Sequence, residues 1–186
     1  MSVYSVALFL HIVGAFGLIA ALAVEAVSLR GMRQAHTAED ARPWLTGMRL
    51  LRLWAPASIG LILVMGLYLM ASAWGWRGWI LTAFGGLFLV GLTGGLVTGR
   101  RMARLGPAVG RANGPLGEDV YRMIHDPALL ISSNLRIALV VGILFLMTAK
   151  PSAVVSVAAL GVAAAMGLGI SRLSIGQVSV KPPEMA

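Results

Sequence analysis

Five apolar runs, each close to the length needed to cross a bilayer, constrain this chain more than any motif in it. They cover residues 3–29, 53–74, 79–98, 127–148 and 152–170. A hydrocarbon core about 30 Å thick takes roughly 20 helical residues. Within lipid, backbone groups must be satisfied internally, so spanning segments are helices or strands of a closed barrel. Runs this long are helical rather than strand-like. The chain is 58% hydrophobic and 12% charged, against about 25% charged in an ordinary soluble domain. With 186 residues in all, the spans leave no length for a separate soluble unit. The expected fold is all-α, a single polytopic transmembrane helical bundle of five spans over residues 1–186.

Charge predicts an orientation. Arg30, Arg33, Arg42, Arg49 and Arg52 lie between the first two runs, and Arg100, Arg101, Arg104, Arg111 and Arg122 between the third and fourth. Arg172 and Lys181 follow the fifth, whereas the alternate connections hold only Arg77 and Lys150. Basic residues concentrate on the cytoplasmic side of membrane proteins, so the N-terminus is expected outside and the C-terminus in the cytoplasm. No Lys or Arg precedes the first run, which is also longer than the apolar part of a secretory signal, so it reads as a retained helix. The net charge of +8 then has a membrane explanation. No nucleic-acid-binding motif accompanies it, and the expected partner of the basic loops is the anionic headgroups of the cytoplasmic leaflet. Trp74, Trp76 and Trp79 cluster at one outer connection, at the level where indoles favour the interface.

Local signals mark the connections. Asp126-Pro127 reads as an N-cap with proline in the first turn, and Lys150-Pro151 as the turn into the fifth span. Residues 43–54 mix arginines with Trp44, Leu45, Met48 and Leu51, the composition of an interfacial helix feeding the second span. The loop over 99–127 is basic and glycine-rich but lacks a Walker-type phosphate loop. Cysteine is absent, which removes disulfides, thiolate metal sites and cysteine nucleophiles. Gly91, Gly95 and Gly99 recur every four residues in the third run, and Gly161, Ala165 and Gly169 in the fifth. Such stripes let backbones approach closely in lipid. They are expected to mediate helix packing, within the chain, in a homo-oligomer or in a larger membrane complex. No internal repeat of the kind that builds many transporters is evident.

Three ionisable residues fall inside the runs, and such residues are costly in lipid and are functional candidates by default. His11 and Glu25 share a helix face with Gly14, Leu18 and Leu22, yet lie about 21 Å apart along the axis at ~1.5 Å per residue. They are therefore separate features. Arg136 follows Ser132 and Ser133 on one face of the fourth run. A guanidinium does not lose its charge, and Glu25 is the one carboxylate within a run at a similar depth. A Glu25–Arg136 pair, bridged by Ser132, Ser133 or water, is the expectation. His11 has no charged partner at its depth. A neutral imidazole is a ligand for haem or metals, and counting depth along the helices sets Met65 level with it and Tyr68 one turn away. His11, Met65 and Tyr68 are thus the candidate cofactor site, with His11 and Met65 as metal ligands for copper; a copper site could also draw on Met70 or Met147. The plainer alternative leaves Met65 as core filler and gives His11 one hydrogen bond to a carbonyl or Tyr68. His36 and His125 lie outside the spans.

The stretch "LHIVGAFGL" resembles the first span of small bacterial membrane proteins of the copper-resistance-D-like and HemJ-type groups, and "LRIALVVGILFLMTAKP" looks like the penultimate span of related families. The resemblance implies an integral protein of the bacterial inner membrane. It also implies haem at the first-span histidine, whose match here is His11. Three functions are compatible with the residues: a haem b- or copper-binding membrane protein using His11 near the outer face, a non-enzymatic accessory or assembly subunit docked through its glycine faces, and a small transporter or proton conductor using Glu25 and Arg136. No nucleophile–base pair or carboxylate dyad argues for hydrolysis.

Overall fold

A computed structural model describes residues 2–177 as an all-helical bundle, with five helices long and apolar enough to cross a membrane. Lys181, one of the residues behind the expected orientation, lies outside the described residues. Helix α1 spans Val3–Gln34 and α2 spans Ala38–Leu69, running on through a π-helical turn over Met70–Trp74. Helix α3, Gly78–Thr93, passes through a second π turn, Gly94–Gly99, into α4, Arg100–Arg111. The short α5, Glu118–Ile124, precedes α6, Pro127–Ala149, and α7 is Ala153–Gln177.

The helices outrun the apolar segments. At ~1.5 Å per residue, 32 residues in each of α1 and α2 extend about 48 Å, well beyond a ~30 Å core. The surplus lies at the arginine-rich end. The interfacial helix expected over 43–54 is therefore the first part of α2 rather than a separate element, and Pro43 and Pro56 both lie inside that helix. A Thr37–Asp40 capping box starts it, satisfying N–H groups that the first turn leaves open. Asp126 caps α6 through Ala128 N–H at 2.8 Å, with Pro127 in the first turn.

Two apolar cores follow. At the arginine-rich end, the last turns of α1 and the first of α2 enclose Leu29, Met32, Ala41 and Leu45 against Leu105 and Val109 of α4 and Ile124 of α5. Nearer the bilayer centre, Leu18 and Leu22 of α1 pack with Ile62, Leu87, Val90 and Leu139 from α2, α3 and α6. Many large apolar side chains face outward, among them Phe9, Phe16, Leu53, Val64, Phe88 and Val154. On a soluble protein so much exposed apolar surface would be a liability; here it is the surface that meets lipid.

In the third and fifth spans the glycines that bring helices together differ from those the spacing selects, whereas Gly14 and Gly17, three apart in the first span, do meet neighbours. A Cβ on Gly95, Gly161 or Gly169 would meet nothing within 4 Å, Gly91 would graze Ile59 at 3.9 Å, and Gly99 would meet only a carbonyl of its own turn. Ala165 is exposed with the two glycines of its stripe. The close contacts are made elsewhere. Gly142 lies against Leu160 (2.8 Å) and Ala163 (3.1 Å), Gly167 against Ala138 and the Asn134 carbonyl (both 2.9 Å), and Gly14 against Ile62 and the Ser58 carbonyl. In α7 the packed face is Ser156, Leu160, Gly167 and Ser171, all buried, which leaves the 161–165–169 stripe on the outer side. In the third span, the π turn adds a residue to the repeat and rotates Gly99 out of register with Gly91 and Gly95.

Candidate functional site

Glu25 and Arg136 meet in the bundle interior. Both are buried, at 5% exposure each, and the contact is bidentate: Arg136 Nη1 donates to Glu25 Oε2 at 2.9 Å and Nη2 to Oε1. The rest of the guanidinium is held as closely. Nε donates to the Ser132 carbonyl at 3.2 Å, and Nη2 also donates to the Thr98 hydroxyl at 2.9 Å. Ser132 Oγ gives its proton to the Thr93 carbonyl at 3.3 Å, so the Thr98 hydroxyl donates to Ser132, 3.2 Å away. The chain of donors is complete from guanidinium to backbone. A planar, bidentate fork of this kind is the geometry in which arginine outperforms lysine.

Sequence reasoning identified Glu25, Arg136 and Ser132 but missed Thr98 and Gly94. The π turn over Gly94–Gly99 supplies both. A Cβ on Gly94 would lie 3.2 Å from Arg136 Nη1, so a side chain there would press on the guanidinium. The wider turn aims Thr98, 6% exposed, at the pair. Two glycines beside a threonine in an apolar run were the available signal. Ser133 does not take part. It is buried beside this cluster in sequence, but its hydroxyl has no hydrogen-bond partner among the described residues.

The second site lies toward the opposite end, where α1, α2, α3 and α6 stand apart around a cavity of about 530 Å³. Its walls are apolar, with Phe16, Leu69, Ile80 and Phe84 among them. Leu8, Ile12 and Phe16 of α1 and Leu144 of α6 both line it and are exposed on the outer surface. Between those two helices the wall is thus open toward lipid. His11, Tyr4 and Lys150 are its titratable residues.

His11 is positioned by α2. Its Nδ1 lies 3.1 Å from the Ile62 carbonyl. A carbonyl only accepts, so Nδ1 carries the proton and Nε2 of the neutral ring keeps its lone pair. Gly66, one turn beyond Ile62, makes space for the imidazole: a Cβ there would sit 3.2 Å from His11 Cε1. Nε2 has no hydrogen-bond partner among the described residues. Donation from Nδ1–H to a backbone carbonyl is the usual arrangement of a histidine that ligates through its other nitrogen.

Met65 and Tyr68 are not part of this wall. The face of α2 turned to the cavity is Ile62, Gly66, Leu69 and then Met70; Tyr68 is 39% exposed on the outside. Counting along an axis gives depth but not rotation, and at about 100° per residue a correct depth can still be the wrong face. The thioethers that do line the cavity are Met70, on the same helix face as Ile62, Gly66 and Leu69, and Met147 of α6, the two further methionines the sequence offered for a copper site. Among the described residues no three His, Asp or Glu side chains come together as a metal-ligand group. His36 is exposed at the arginine-rich end, and His125 stacks on Tyr121 at 4.0 Å there.

The cavity's far rim is built by the helix ends. The turn after α2 contains Gly75 at φ 64°, a conformation that favours glycine, and it returns the chain so that Trp74 and Trp79 meet edge to face, centroids 5.8 Å apart. Lys150 ends α6 in the left-handed region, φ 48°, and its ammonium stands 4.1 Å above the Trp74 ring. The sequence marked Lys150 only as a turn. Between this cavity and the Glu25–Arg136 pair lie buried Leu22, Val90 and Leu139, so the two polar features are insulated from each other. No protein-family model, curated protein or solved structure matches this chain.

Proposed function

We propose that this integral membrane protein binds haem b in the cavity between α1, α2, α3 and α6, with His11 Nε2 as the iron ligand. The observation that carries the reading is the His11 ring itself, whose Nδ1–H is held by the Ile62 carbonyl while Nε2 has no partner among the described residues. The volume of about 530 Å³ falls in the range of sites for cofactor-sized molecules, roughly 300–1,000 Å³, and its apolar walls suit a macrocycle. Met70 or Met147 would offer a thioether as a further ligand. When bound, the haem supplies one-electron redox chemistry at iron. The chain's own residues orient the imidazole, exclude water from it and offer a way in from the bilayer. Copper, with Met70 or Met147 in place of Met65, is the weaker alternative, since a bare ion would leave most of the cavity unfilled. The resemblance of the first span to HemJ-type proteins points to the same histidine, and the charge distribution supports an arginine-rich end facing the cytoplasm of a bacterial inner membrane.

Titration of the detergent-purified protein with haem tests this. The expected result is a saturable Soret shift in the wild type that His11→Ala removes or moves to a five-coordinate or free-haem spectrum. The absence of a shift in the wild type, or an identical spectrum in His11→Ala, overturns it. Stoichiometric copper on metal analysis of haem-free protein would favour the alternative.

A further inference from the structure

We propose that Lys150 is the docking point for the carboxylate end of the cavity's ligand, so that the site takes an amphiphile with an apolar body and an acidic head. For haem this head is a propionate, and the inference to that extent rests on the haem reading; the chemistry is shared with long-chain fatty acids. Three observations carry it. Lys150 is the one lysine or arginine among the residues lining the cavity. It has no carboxylate partner among the described residues: the five ion pairs there involve Arg42, Arg101, Arg122 and Arg136. It is also held in place rather than left to wander. The left-handed backbone at φ 48°, uncommon for a residue other than glycine, turns its side chain back from the end of α6, and the Trp74 face 4.1 Å below the ammonium fixes it at the rim.

The arrangement divides the cavity by chemistry. The apolar walls and His11 lie toward the bilayer interior. Lys150, Trp74 and Trp79 lie at the level where the helices end and the chain turns. An amphiphile entering through the exposed gap lined by Phe16 and Leu144 arrives with its body already in lipid and its head at the interface, which is the orientation the site requires. A cationic ligand, or a neutral one without an acceptor at that end, would gain nothing from Lys150.

The test compares haem with its dimethyl ester, which lacks the free carboxylates, in the wild type and in Lys150→Gln and Lys150→Arg. Binding is read from the Soret shift and from quenching of Trp74 and Trp79 fluorescence. Haem is expected to bind about fivefold more weakly to Lys150→Gln, with Lys150→Arg restoring most of the loss, as for a partly exposed charge pair. The ester should bind wild type and Lys150→Gln alike. Equal weakening of haem and ester would mean that Lys150 acts only through cavity shape, and unchanged haem affinity would mean that it does nothing; either overturns the inference. If wild type binds neither haem nor ester, the haem reading fails separately. A fluorescent long-chain fatty acid then decides the Lys150 assignment: weaker binding to Lys150→Gln sustains it, and absent or unchanged binding overturns it.

Discussion

The two halves of this bundle treat their polar residues in opposite ways. Around Glu25 and Arg136 the helices close up. Both charges are buried, four donor contacts from the guanidinium find acceptors, and a hydroxyl relay through Thr98 and Ser132 ends on a backbone carbonyl. Around His11 the helices stand apart, and the imidazole is held by one nitrogen and left open at the other. A saturated polar group surrounded by packed side chains is a structural clamp. A half-satisfied one beside an apolar cavity is what the proposed binding site rests on. What distinguishes them is the accounting of hydrogen-bond capacity, not the residue types, since each is an ionisable residue on the same face of α1.

Three sets of substitutions would sharpen or break this contrast. The largest effect belongs to the clamp. Arg136→Leu or Glu25→Leu alone leaves a buried charge without its partner and should lower stability by about 3–5 kcal/mol, measured by equilibrium unfolding in mixed detergent micelles. The double Leu variant should recover much of that loss, because two well-packed apolar side chains can replace a buried pair at little net cost. Singles no worse than the double would mean that the pair is not a clamp.

A smaller effect separates packed from lipid-facing glycine. Gly142→Leu forces side-chain atoms into Leu160 and Ala163 and should cost about 1–3 kcal/mol by the same assay. Gly95→Leu meets open space and should leave the monomer's stability unchanged. If Gly95→Leu instead disturbs association without changing monomer stability, that face contacts a partner or a second copy.

The smallest effect is on the open half. His11→Ala removes one hydrogen bond, and its acceptor is a helix carbonyl, so the loss should be no more than about 1 kcal/mol in the ligand-free protein. A loss as large as that of Arg136→Leu would make His11 a clamp as well and would remove the contrast.

How much of this was legible beforehand can be followed residue by residue. Glu25 and Arg136 could be paired on paper because a permanent cation in lipid needs an acceptor and one carboxylate stood at its depth. Ser133 was wrongly included with Ser132, because adjacent residues on a helix point about 100° apart and only one of them could face the guanidinium. Met65 failed for the same reason. Its height was right and its azimuth was not, so the wall beside His11 is Gly66 and Met70 instead. Lys150 was overlooked as a ligand because, as a residue at a turn, it had a sufficient local explanation.

By itself the sequence determined the membrane class, the number of spans, the grouping of arginines at one end and the two polar depths along α1. Each of these depends on quantities summed along the chain: apolar length, charge position, rise per residue. Tertiary structure alone decided which glycines are contacts, which methionines reach the cavity and that a cavity exists at all. Those depend on helix rotation and separation, and here two π turns reset the rotation part-way along the second and third spans. A π turn shifts every later side chain around the axis while leaving the hydropathy profile unchanged, so no reading of that profile could have placed Thr98 on Arg136.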